Sequence, residues 1–457
     1  MDSKDQIAIL GFGVEGKSTL KYLMKHKYPN VTVCDIDVDL KTKLPDGVSA
    51  QLGEDFYLKD LDRFDVIFRS PGIRFLTPQI QSAMERGTVI TSQTAFFLDQ
   101  TPCPVIGVSG TKGKGTTTTL ISEILKKAGK NVHLGGNIGK PPLDFIDKLK
   151  GDSLVALEMS SFQLQDLTNS PNYAILLNTT VDHLDYHADR AEYVAAKESL
   201  LMHQGKGDVV VFNKDYEYVD EYLPLAKGDV RFVSVERAVE DGAYLDEDKI
   251  MYAKGGKSEK VINVSDISLI GSHNLENVMP AVVIAKELGV DNADIKFAVK
   301  DFTGLPHRLE FVKEVKGVKY FEDSFSTTPA TSMAAVDSFD VPTVLIAGGS
   351  DKGSDFGEWA VKILTKRNLH TVVLMGDVAA KNMEDALIEA ENKLGDAEGS
   401  PTKILRRKDM EEAVLEAYAQ AEKGGVVVLS PAAASFDLFK NYKVRGEQFK
   451  EAVAKLR

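Results

Sequence analysis

Short apolar runs recur along the whole chain and alternate with longer stretches in which apolar residues return at helical spacing. The runs are continuous rather than alternating, which is typical of strands buried on both faces of a parallel sheet. We expect strands at 7–10, 31–33, 66–68, 105–108, 174–177, 209–212, 344–347, 372–375 and 426–429. This alternation predicts an α/β fold with mainly parallel sheets.

The length of 457 residues suits about three domains of about 150 residues each. Two segments that contain proline or glycine predict domain boundaries. Thr101-Pro102-Cys103-Pro104 precedes a new strand, and Gly304-Leu305-Pro306 follows a helical stretch. We therefore predict an N-terminal domain over 1–100, a central domain over 101–303 and a C-terminal domain over 304–457.

Composition narrows the classes of function. The net charge of −13 makes binding to nucleic acid through the overall field a poor interpretation. The two cysteines, Cys34 and Cys103, lie in no metal-binding cluster. The polar N-terminus predicts no signal peptide, and no apolar stretch is long enough to span a bilayer. We expect a cytoplasmic protein without membrane insertion, and a monomer.

The strongest local motif is a glycine-rich turn, Gly110-Thr111-Lys112-Gly113-Lys114-Gly115-Thr116, between a buried strand and a helix. That context is typical of a phosphate-binding loop, in which backbone N–H groups and a lysine face the anion. Val108 stands where the general pattern has its first glycine, and Gly115 stands where Ser or Thr follows the lysine. A turn that binds nothing is the alternative, although three glycines among seven residues disfavour it.

A second glycine-rich turn, Gly11-Phe12-Gly13-Val14-Glu15-Gly16, follows the first strand, and Asp35 ends the next one. Alone, this GxGxxG pattern predicts a dinucleotide site of the dehydrogenase type. The alternative is a UDP site, with the pyrophosphate at the helix N-terminus.

The Gly110–Lys114 pattern resembles the ATP loop of the Mur ligase family and of the related folylpolyglutamate synthases. Three further segments resemble Mur ligase motifs in the same order: Leu157-Glu158-Met159-Ser160-Ser161, Asn178-Thr179-Thr180-Val181-Asp182-His183 and Tyr193-Val194-Ala195-Ala196-Lys197. The resemblance implies that Thr116, Glu158 and His183 bind Mg²⁺. It also implies that Lys114 contacts the β and γ phosphates of ATP and that Lys197 carries a carbamate.

The first domain resembles the UDP-binding domain of these ligases, which argues against the dehydrogenase interpretation. Arg69-Ser70-Pro71-Gly72-Ile73 and Gly135-Gly136-Asn137-Ile138-Gly139 resemble loops that approach the UDP precursor. The implied precursor-binding residues are Gly11, Gly13, Val14, Glu15, Gly16, Asp35, Ser70, Pro71, Gly72, Asn137, Ser161 and Gln163.

The last third of the chain resembles the nucleotide- and acceptor-binding parts of the family. Gly271-Ser272-His273-Asn274-Leu275-Glu276-Asn277, Gly304-Leu305-Pro306-His307-Arg308 and Asp323-Ser324 imply that Asn274, Asn277, Arg308 and Asp323 contact ATP. The segments 348–353 and 430–446 imply that Thr327, Lys352, Ser435 and Tyr442 surround the incoming amino acid, with Lys352 on its side-chain carboxylate.

Together these motifs imply an ATP-dependent ligase that joins glutamate to UDP-N-acetylmuramoyl-L-alanine through an acyl phosphate. The C-terminal run favours the members of the family that add D-glutamate. The departures are Lys112 and Gly115, Phe325 where lysine is usual, and Tyr442 where phenylalanine is common. They leave open the same chemistry with L-glutamate or another acceptor. A folylpolyglutamate-synthase-like ligase and a nucleotide sensor without catalysis also stay open.

Overall fold

The computed structural model of the chain describes residues 1–179, 189–350, 353–394, 402–436 and 438–457. Contacts divide the chain into two compact units: Met1–Ile267 with Leu275–Asp301, and Ser268–Asn274 with Phe302–Arg457. The predicted boundary near 304 lies close to Phe302, whereas residue 101 lies inside the first unit, between two sheets. The division into domains at residues 101 and 304 therefore stays a prediction.

The first sheet of the first unit is five-stranded and parallel, with the order β3-β2-β1-β4-β5. Its central strand pairs with a parallel strand on each side and is wholly buried. The strands are β1 (Ile7–Leu10), β2 (Val31–Asp35), β3 (Ser49–Leu52), β4 (Val66–Arg69) and β5 (Val89–Thr91), and the helices are α1 (Val14–Lys25), α2 (Pro78–Glu85) and α3 (Gln93–Gln100).

The second sheet of this unit has nine strands, in which a run of parallel neighbours is followed by an antiparallel extension. The strands are β6 (Val105–Ser109), β7 (Asn131–Gly136), β8 (Ser153–Glu158), β9 (Tyr173–Leu176), β10 (Val209–Asn213), β11 (Asp229–Ser234), β12 (Gly242–Asp246), β13 (Lys249–Lys254) and β14 (Lys257–Asn263). Their order is β14-β13-β12-β11-β10-β9-β6-β8-β7. The helices are α4 (Lys114–Lys127), α5 (Ser161–Leu164), α6 (Arg190–Met202), α7 (Val219–Tyr222), α8 (Leu275–Glu287) and α9 (Asn292–Asp301).

The second unit is built on a six-stranded sheet with the order β15-β16-β20-β17-β18-β19, in which the β15–β16 pair is antiparallel and the other pairs are parallel. The strands are β15 (Glu310–Val315), β16 (Val318–Glu322), β17 (Thr343–Gly348), β18 (Leu369–Met375), β19 (Lys403–Arg407) and β20 (Val426–Leu429). The helices are α10 (Pro329–Asp337), α11 (Gly357–Thr365), α12 (Val378–Leu394), α13 (Met410–Gln420) and α14 (Tyr442–Ala454).

The predicted α/β fold with mainly parallel sheets is confirmed, and each predicted apolar run overlaps a strand. The strands that the pattern did not predict lie mostly at sheet edges or in the antiparallel extension, where polar residues are tolerated. Thr328 and Pro329 are the N-cap and first residue of α10: the Thr328 hydroxyl accepts the N–H of Thr331. Among the described residues, we find no helix with the length and apolar character needed to cross a membrane.

Candidate active site

Each of the three sheets has a point at which the order of its strands reverses, between β1 and β4, between β6 and β9, and between β17 and β20. Ligands of open α/β sheets bind beside such points, at the carboxyl ends of the strands. The loops that leave these ends are the predicted site segments around 11–13, 70–72, 110–113, 177–179, 348–350 and 430–435. Topology therefore favours the segments that the sequence motifs predicted.

The loop after β6 passes from strand to helix α4 through two glycines with positive φ, +144° at Gly110 and +84° at Gly113. A Cβ at Gly113 would lie 2.1 Å from Oδ1 of Asn277. The Nζ of Lys114 donates to the carbonyl oxygens of Gly110, at 3.0 Å, and Thr111, at 2.9 Å. The lysine thus lies across its own loop, at the N-terminus of a helix that can accept an anion.

The other predicted residues of this loop region have different exposures. Lys112 is exposed, Thr116 is half-buried and Gly115 is buried. Both Gly115 and Thr116 lie in the first turn of α4. The departure at Gly115 therefore lies within a regular helix start, and Thr116 is in the same turn.

Tyr193 on α6 connects the loop to Lys197. Its hydroxyl is 2.8 Å from Oγ1 of Thr111, and its ring centroid is 4.4 Å from Nζ of Lys197. The Thr111 N–H also donates to the carbonyl oxygen of Asn178, at 2.7 Å. Lys197 is only 1% exposed, so the chain holds a long cationic side chain in a buried position close to the loop.

Glu158 ends β8, next to β6, and is held by the segment that follows β7. The side-chain amide of Asn137 donates to Oε1 of Glu158, at 2.9 Å, and the Asn137 N–H donates to the Glu158 carbonyl oxygen, at 2.9 Å. Close approach here requires Gly136, because a Cβ would lie 2.2 Å from that carbonyl oxygen. Glu158 and Thr116 lie at the same sheet edge and offer oxygen donors, which fits the ligand preference of Mg²⁺.

The two asparagines predicted to contact ATP belong to different units. Asn277, on α8, is bound to α4: the Thr117 hydroxyl lies 3.3 Å from its carbonyl oxygen and 3.4 Å from its Oδ1. Asn274 belongs to the second unit, where its side-chain amide donates to the carbonyl oxygen of Ile270, at 2.7 Å. Asn277 thus contacts the helix that follows the phosphate loop.

The turn after β1 packs tightly against the turn after β4. The Ser70 hydroxyl donates to the Gly11 carbonyl oxygen, at 2.6 Å. A Cβ at Gly16 would lie 2.3 Å from that same oxygen. The carboxylate of Asp35 accepts the N–H of Phe12, at 2.6 Å. Close packing therefore explains Gly11, where a Cβ would lie 2.9 Å from the Cβ of Ser70, and Gly16, where a Cβ would collide with its own turn.

The outer side of the same turns is open. An added Cβ at Gly13 or Gly72 would meet none of the described residues within 4 Å. Val14 is 73% exposed, whereas Ser161, which begins α5, is buried. Pro71 is half-buried. The N-terminus of α1 thus faces open space between predicted precursor-binding residues.

A group of four polar side chains, Glu15, Arg69, Gln163 and Asp166, lies beneath these turns, and we call it the turn cluster. Nε2 of Gln163 donates to Oε1 of Glu15, at 2.6 Å. Arg69 pairs with Asp166 at 2.8 Å, and both side chains are at most 1% exposed. Arg69 also donates to the carbonyl oxygen of Phe162, at 2.7 Å. Burial raises the pKa of Glu15 to about 7.

In the second unit, glycines allow the segments after β17 and β20 to meet. A Cβ at Gly348 would lie 2.0 Å from the Met375 carbonyl oxygen, and one at Gly349 would lie 2.0 Å from that of Ala434. Ser350 donates its N–H to the Ala434 carbonyl oxygen, at 2.8 Å. The predicted acceptor residue Ser435 follows directly and is 3% exposed.

Arg445 on α14 is fully buried and joins this helix to two other segments of the region. One terminal nitrogen donates to the carbonyl oxygens of Ala433 and Ala434, at 3.0 and 3.1 Å, and the other to that of Ser324, at 2.9 Å. The sequence motifs included Arg445 without giving it a role. A lone arginine between apolar helix positions was the available signal.

Four aromatic and basic side chains form a second group, which we call the aromatic group: His307, Arg308, Phe325 and Tyr442. The rings of Phe325 and Tyr442 meet edge to face at 5.1 Å, and those of His307 and Tyr442 at 5.7 Å. The Arg308 guanidinium lies 3.8 Å from the Phe325 ring centroid. The departures at Phe325 and Tyr442 therefore contact each other, and Thr327 lies two residues beyond Phe325.

Asp323 is buried beside this group. Its Oδ2 accepts the Ser430 hydroxyl, at 2.8 Å, and its Oδ1 accepts the Leu309 N–H, at 3.2 Å. Burial raises the pKa of Asp323 to about 7. The side chain therefore fixes the start of the loop that carries Phe325.

His307, Glu310 and Glu322 place potential metal ligands within 4.8 Å of one another. Protein donors engage both carboxylates. Glu322 contacts His307 Nδ1, at 2.6 Å, and the Ser324 N–H, at 2.6 Å, while Glu310 accepts the His307 N–H, at 2.9 Å, and pairs with Lys450, at 2.8 Å. We interpret this group as a hydrogen-bonded support for the His307–Arg308 turn.

Two predicted residues, His183 and Lys352, lie outside the described residues. Their roles as a metal ligand and as the partner of the acceptor's carboxylate stay predictions.

Comparison with known proteins gives the family. Three family models match successive parts of the chain: the MurD-like N-terminal domain of Mur ligases over residues 5–92, the Mur ligase middle domain over 108–285 and the Mur ligase glutamate ligase domain over 307–433. The UDP-N-acetylmuramoylalanine–D-glutamate ligase of Acetivibrio thermocellus is 38% identical over 98% of this chain and 96% of its own. This chain belongs to the Mur ligase family.

Further relatives agree with this membership. The enzyme of the same name from Symbiobacterium thermophilum is 37% identical over 99% of this chain and 98% of its own. Among solved structures, the UDP-N-acetylmuramate–alanine ligase of Thermotoga maritima covers 98% of this chain and 99% of its own, with a TM-score of 0.59 at 18% identity. The MurF ligase of that organism, in complex with ADP, has the same TM-score and identity and covers 99% and 97%. As a Mur ligase, the chain is an ATP-dependent amide-bond ligase.

Proposed function

We propose that the chain joins D-glutamate to the alanyl carboxylate of UDP-N-acetylmuramoyl-L-alanine, with ATP as the phosphoryl donor, in peptidoglycan precursor synthesis. The observation that carries the proposal is the coincidence of two kinds of evidence. Relatives named for this reaction match nearly the whole chain at 36–38% identity, and each strand-order reversal carries one of the motifs expected for precursor, ATP and amino acid.

The reaction has two steps. The precursor carboxylate attacks the γ-phosphorus of ATP, so that an acyl phosphate forms and ADP leaves. The amine of glutamate then attacks the acyl carbon, phosphate leaves and the amine proton is released to solvent. Charge on the transferring phosphoryl group is stabilised by loop N–H groups and by Lys114, which is already positioned over the loop.

Thr116, Glu158 and His183 are the residues proposed to hold Mg²⁺, which supplies positive charge between the two anionic reactants. Asn137 fixes one Glu158 oxygen, at 2.9 Å, and so orients the carboxylate.

We also propose a carbamate on Lys197. The side chain is buried, and burial of an ammonium group is costly, whereas a carbamate would give this position an anion that suits a metal site. A Lys197→Ala protein should be nearly inactive and partly restored by a short carboxylic acid. Full activity of that variant would remove Lys197 from the mechanism.

The direct test is an assay of the purified protein with ATP, the UDP precursor and either glutamate isomer, with phosphate release and product mass as readouts. We expect amide product with D-glutamate. Preference for L-glutamate would overturn the stereochemistry alone, and activity only with a folyl acceptor would favour the folate-type alternative. We further propose that the protein acts in the cytoplasm as a monomer, and sedimentation of the active enzyme can test its oligomeric state.

A further inference from the structure

The turn cluster holds two carboxyl groups and one cation below the proposed diphosphate position. Arg69 contacts Asp166 through two nitrogens, at 2.9 and 2.8 Å, and also donates to the carbonyl oxygen of Ile73, at 2.7 Å. The arginine is therefore committed to Asp166 and to backbone oxygens. Among the described residues, Glu15 has no comparable cation in contact, and its partner is the neutral amide of Gln163.

The orientation of the Gln163 amide is fixed by its other neighbours. Its Oε1 accepts both the N–H and the hydroxyl of Ser160, at 2.9 and 3.1 Å. Its Nε2 must then face Glu15, so Oε1 of Glu15 acts as an acceptor. The second oxygen, Oε2 of Glu15, is buried and has no hydrogen-bond partner within the described part of the chain. A buried oxygen without a partner is costly and points to a group that arrives with the ligand.

Glu15 lies in the first turn of α1, two residues after Gly13, where an added Cβ would meet none of the described residues within 4 Å. A diphosphate bound at this helix N-terminus offers only acceptor oxygens, and an ionised carboxylate also offers only acceptors. The two anions can share a hydrogen bond only if a proton lies between them. A sugar hydroxyl, in contrast, could donate to an ionised Glu15.

We propose that Glu15 binds the precursor as a carboxylic acid, donating from Oε2 to a diphosphate oxygen, so that binding takes up one proton from solvent. This inference rests on the proposed function. It makes Glu15 a residue that selects a nucleoside diphosphate derivative, and Glu15 does so only in its protonated form. The pKa of Glu15, raised to about 7 by burial, agrees with it. Asp166 raises this pKa and Arg69 lowers it; Lys17, on the same helix, is exposed.

The experiment is calorimetric titration of the whole protein with UDP-N-acetylmuramoyl-L-alanine at about pH 8, in buffers that differ in ionisation enthalpy. We expect uptake of close to one proton, together with a Kd that rises about tenfold per pH unit above about pH 7. Glu15→Gln should remove both effects, because the amide cannot titrate. Glu123→Gln, on the exposed surface of α4, is the matched control and should keep them.

Binding without proton uptake in the wild-type protein would overturn the inference, indicate a sugar hydroxyl at Oε2 and leave the proposed function standing. Equal uptake by Glu15→Gln would also overturn it. If that variant does not fold, the wild-type measurement decides alone. Absence of binding at every pH would instead overturn the proposed function.

Discussion

The phosphate loop allows a sharp test, because two glycines on either side of α4 share a positive φ but differ in their surroundings. Gly113 has φ +84° and Gly129 has φ +73°. An added Cβ at Gly129 would meet no atom within 4 Å in the part of the chain that the structure describes, whereas at Gly113 it would lie 2.1 Å from Oδ1 of Asn277. Gly113→Ala and Gly129→Ala therefore share backbone strain, and only the first adds a collision.

The magnitudes follow from this difference. Placing alanine in the left-handed region costs about 1–2 kcal/mol of unfolding free energy in both variants. At Gly113, relief of the collision requires the Asn277 side chain to move, which breaks the hydrogen bond that its Oδ1 accepts from the Thr117 hydroxyl, at 3.4 Å. Each such hydrogen bond contributes about 0.5–1.5 kcal/mol. We expect a total loss of about 1.5–3.5 kcal/mol for Gly113→Ala.

Urea unfolding and ATP kinetics measure the two consequences separately. Gly113→Ala should raise the KM for ATP by about tenfold or more. A displaced loop that loses about 1.4 kcal/mol of binding free energy binds ATP about tenfold more weakly. Gly129→Ala should leave the KM for ATP unchanged. The reasoning is refuted if both variants lose equal stability and both retain the wild-type KM.

Two further predictions concern charged groups. The Lys114→Ala protein should lose turnover but unfold close to the wild-type temperature. The reason is that the lysine contacts carbonyl oxygens of its own half-exposed loop and is not packed in a core. Near-normal turnover would contradict its role. Burial raises the pKa of Asp323 from 3.8 to about 7, so folding favours the protonated acid, and its contribution to stability falls as pH rises through that window. In urea unfolding, Asp323→Asn should lose less unfolding free energy than the wild-type protein between about pH 4 and pH 7. An equal dependence of the unfolding free energy on pH in both proteins would contradict this.

The sequence predicted the parallel cores well, because strands buried on both faces must be apolar along their whole length. Runs such as 426–429 therefore stand out. Strands such as β3 and β14 did not, since they are largely exposed, carry polar residues and are fixed by pairing with distant segments. Local pattern holds little information on such pairing.

In the candidate site, too, features with a local sequence signal were predicted and those fixed by distant contacts were not. Motifs predicted the glycine-rich turns because each requires close backbone approach, as at Gly16, Gly113 and Gly136. They did not reveal that Arg69 pairs with Asp166 across 97 residues, because a buried ion pair between remote positions has no local sequence signal. Arg445 was similarly without a predicted role, since its contacts are carbonyl oxygens, which every residue possesses.

The two departures at Phe325 and Tyr442 are best understood as one change. A lysine at 325 would bring a second cation toward Arg308, whereas the phenylalanine ring supports that guanidinium at 3.8 Å and meets Tyr442 edge to face at 5.1 Å. Cation–π contacts contribute about 0.5–1 kcal/mol and aromatic pairs about 0.5–1.5 kcal/mol. Phe325→Lys should therefore lower kcat/KM.

A double-mutant cycle of Phe325→Leu and Tyr442→Leu should show a coupling free energy of about 0.5–1.5 kcal/mol in urea unfolding. Tyr442→Phe is the matched control, because it keeps the ring and should keep the coupling. Additive effects of the two leucine substitutions would show that the departures are independent. In that case the phenylalanine at 325 would require an explanation of its own, such as direct contact with the acceptor.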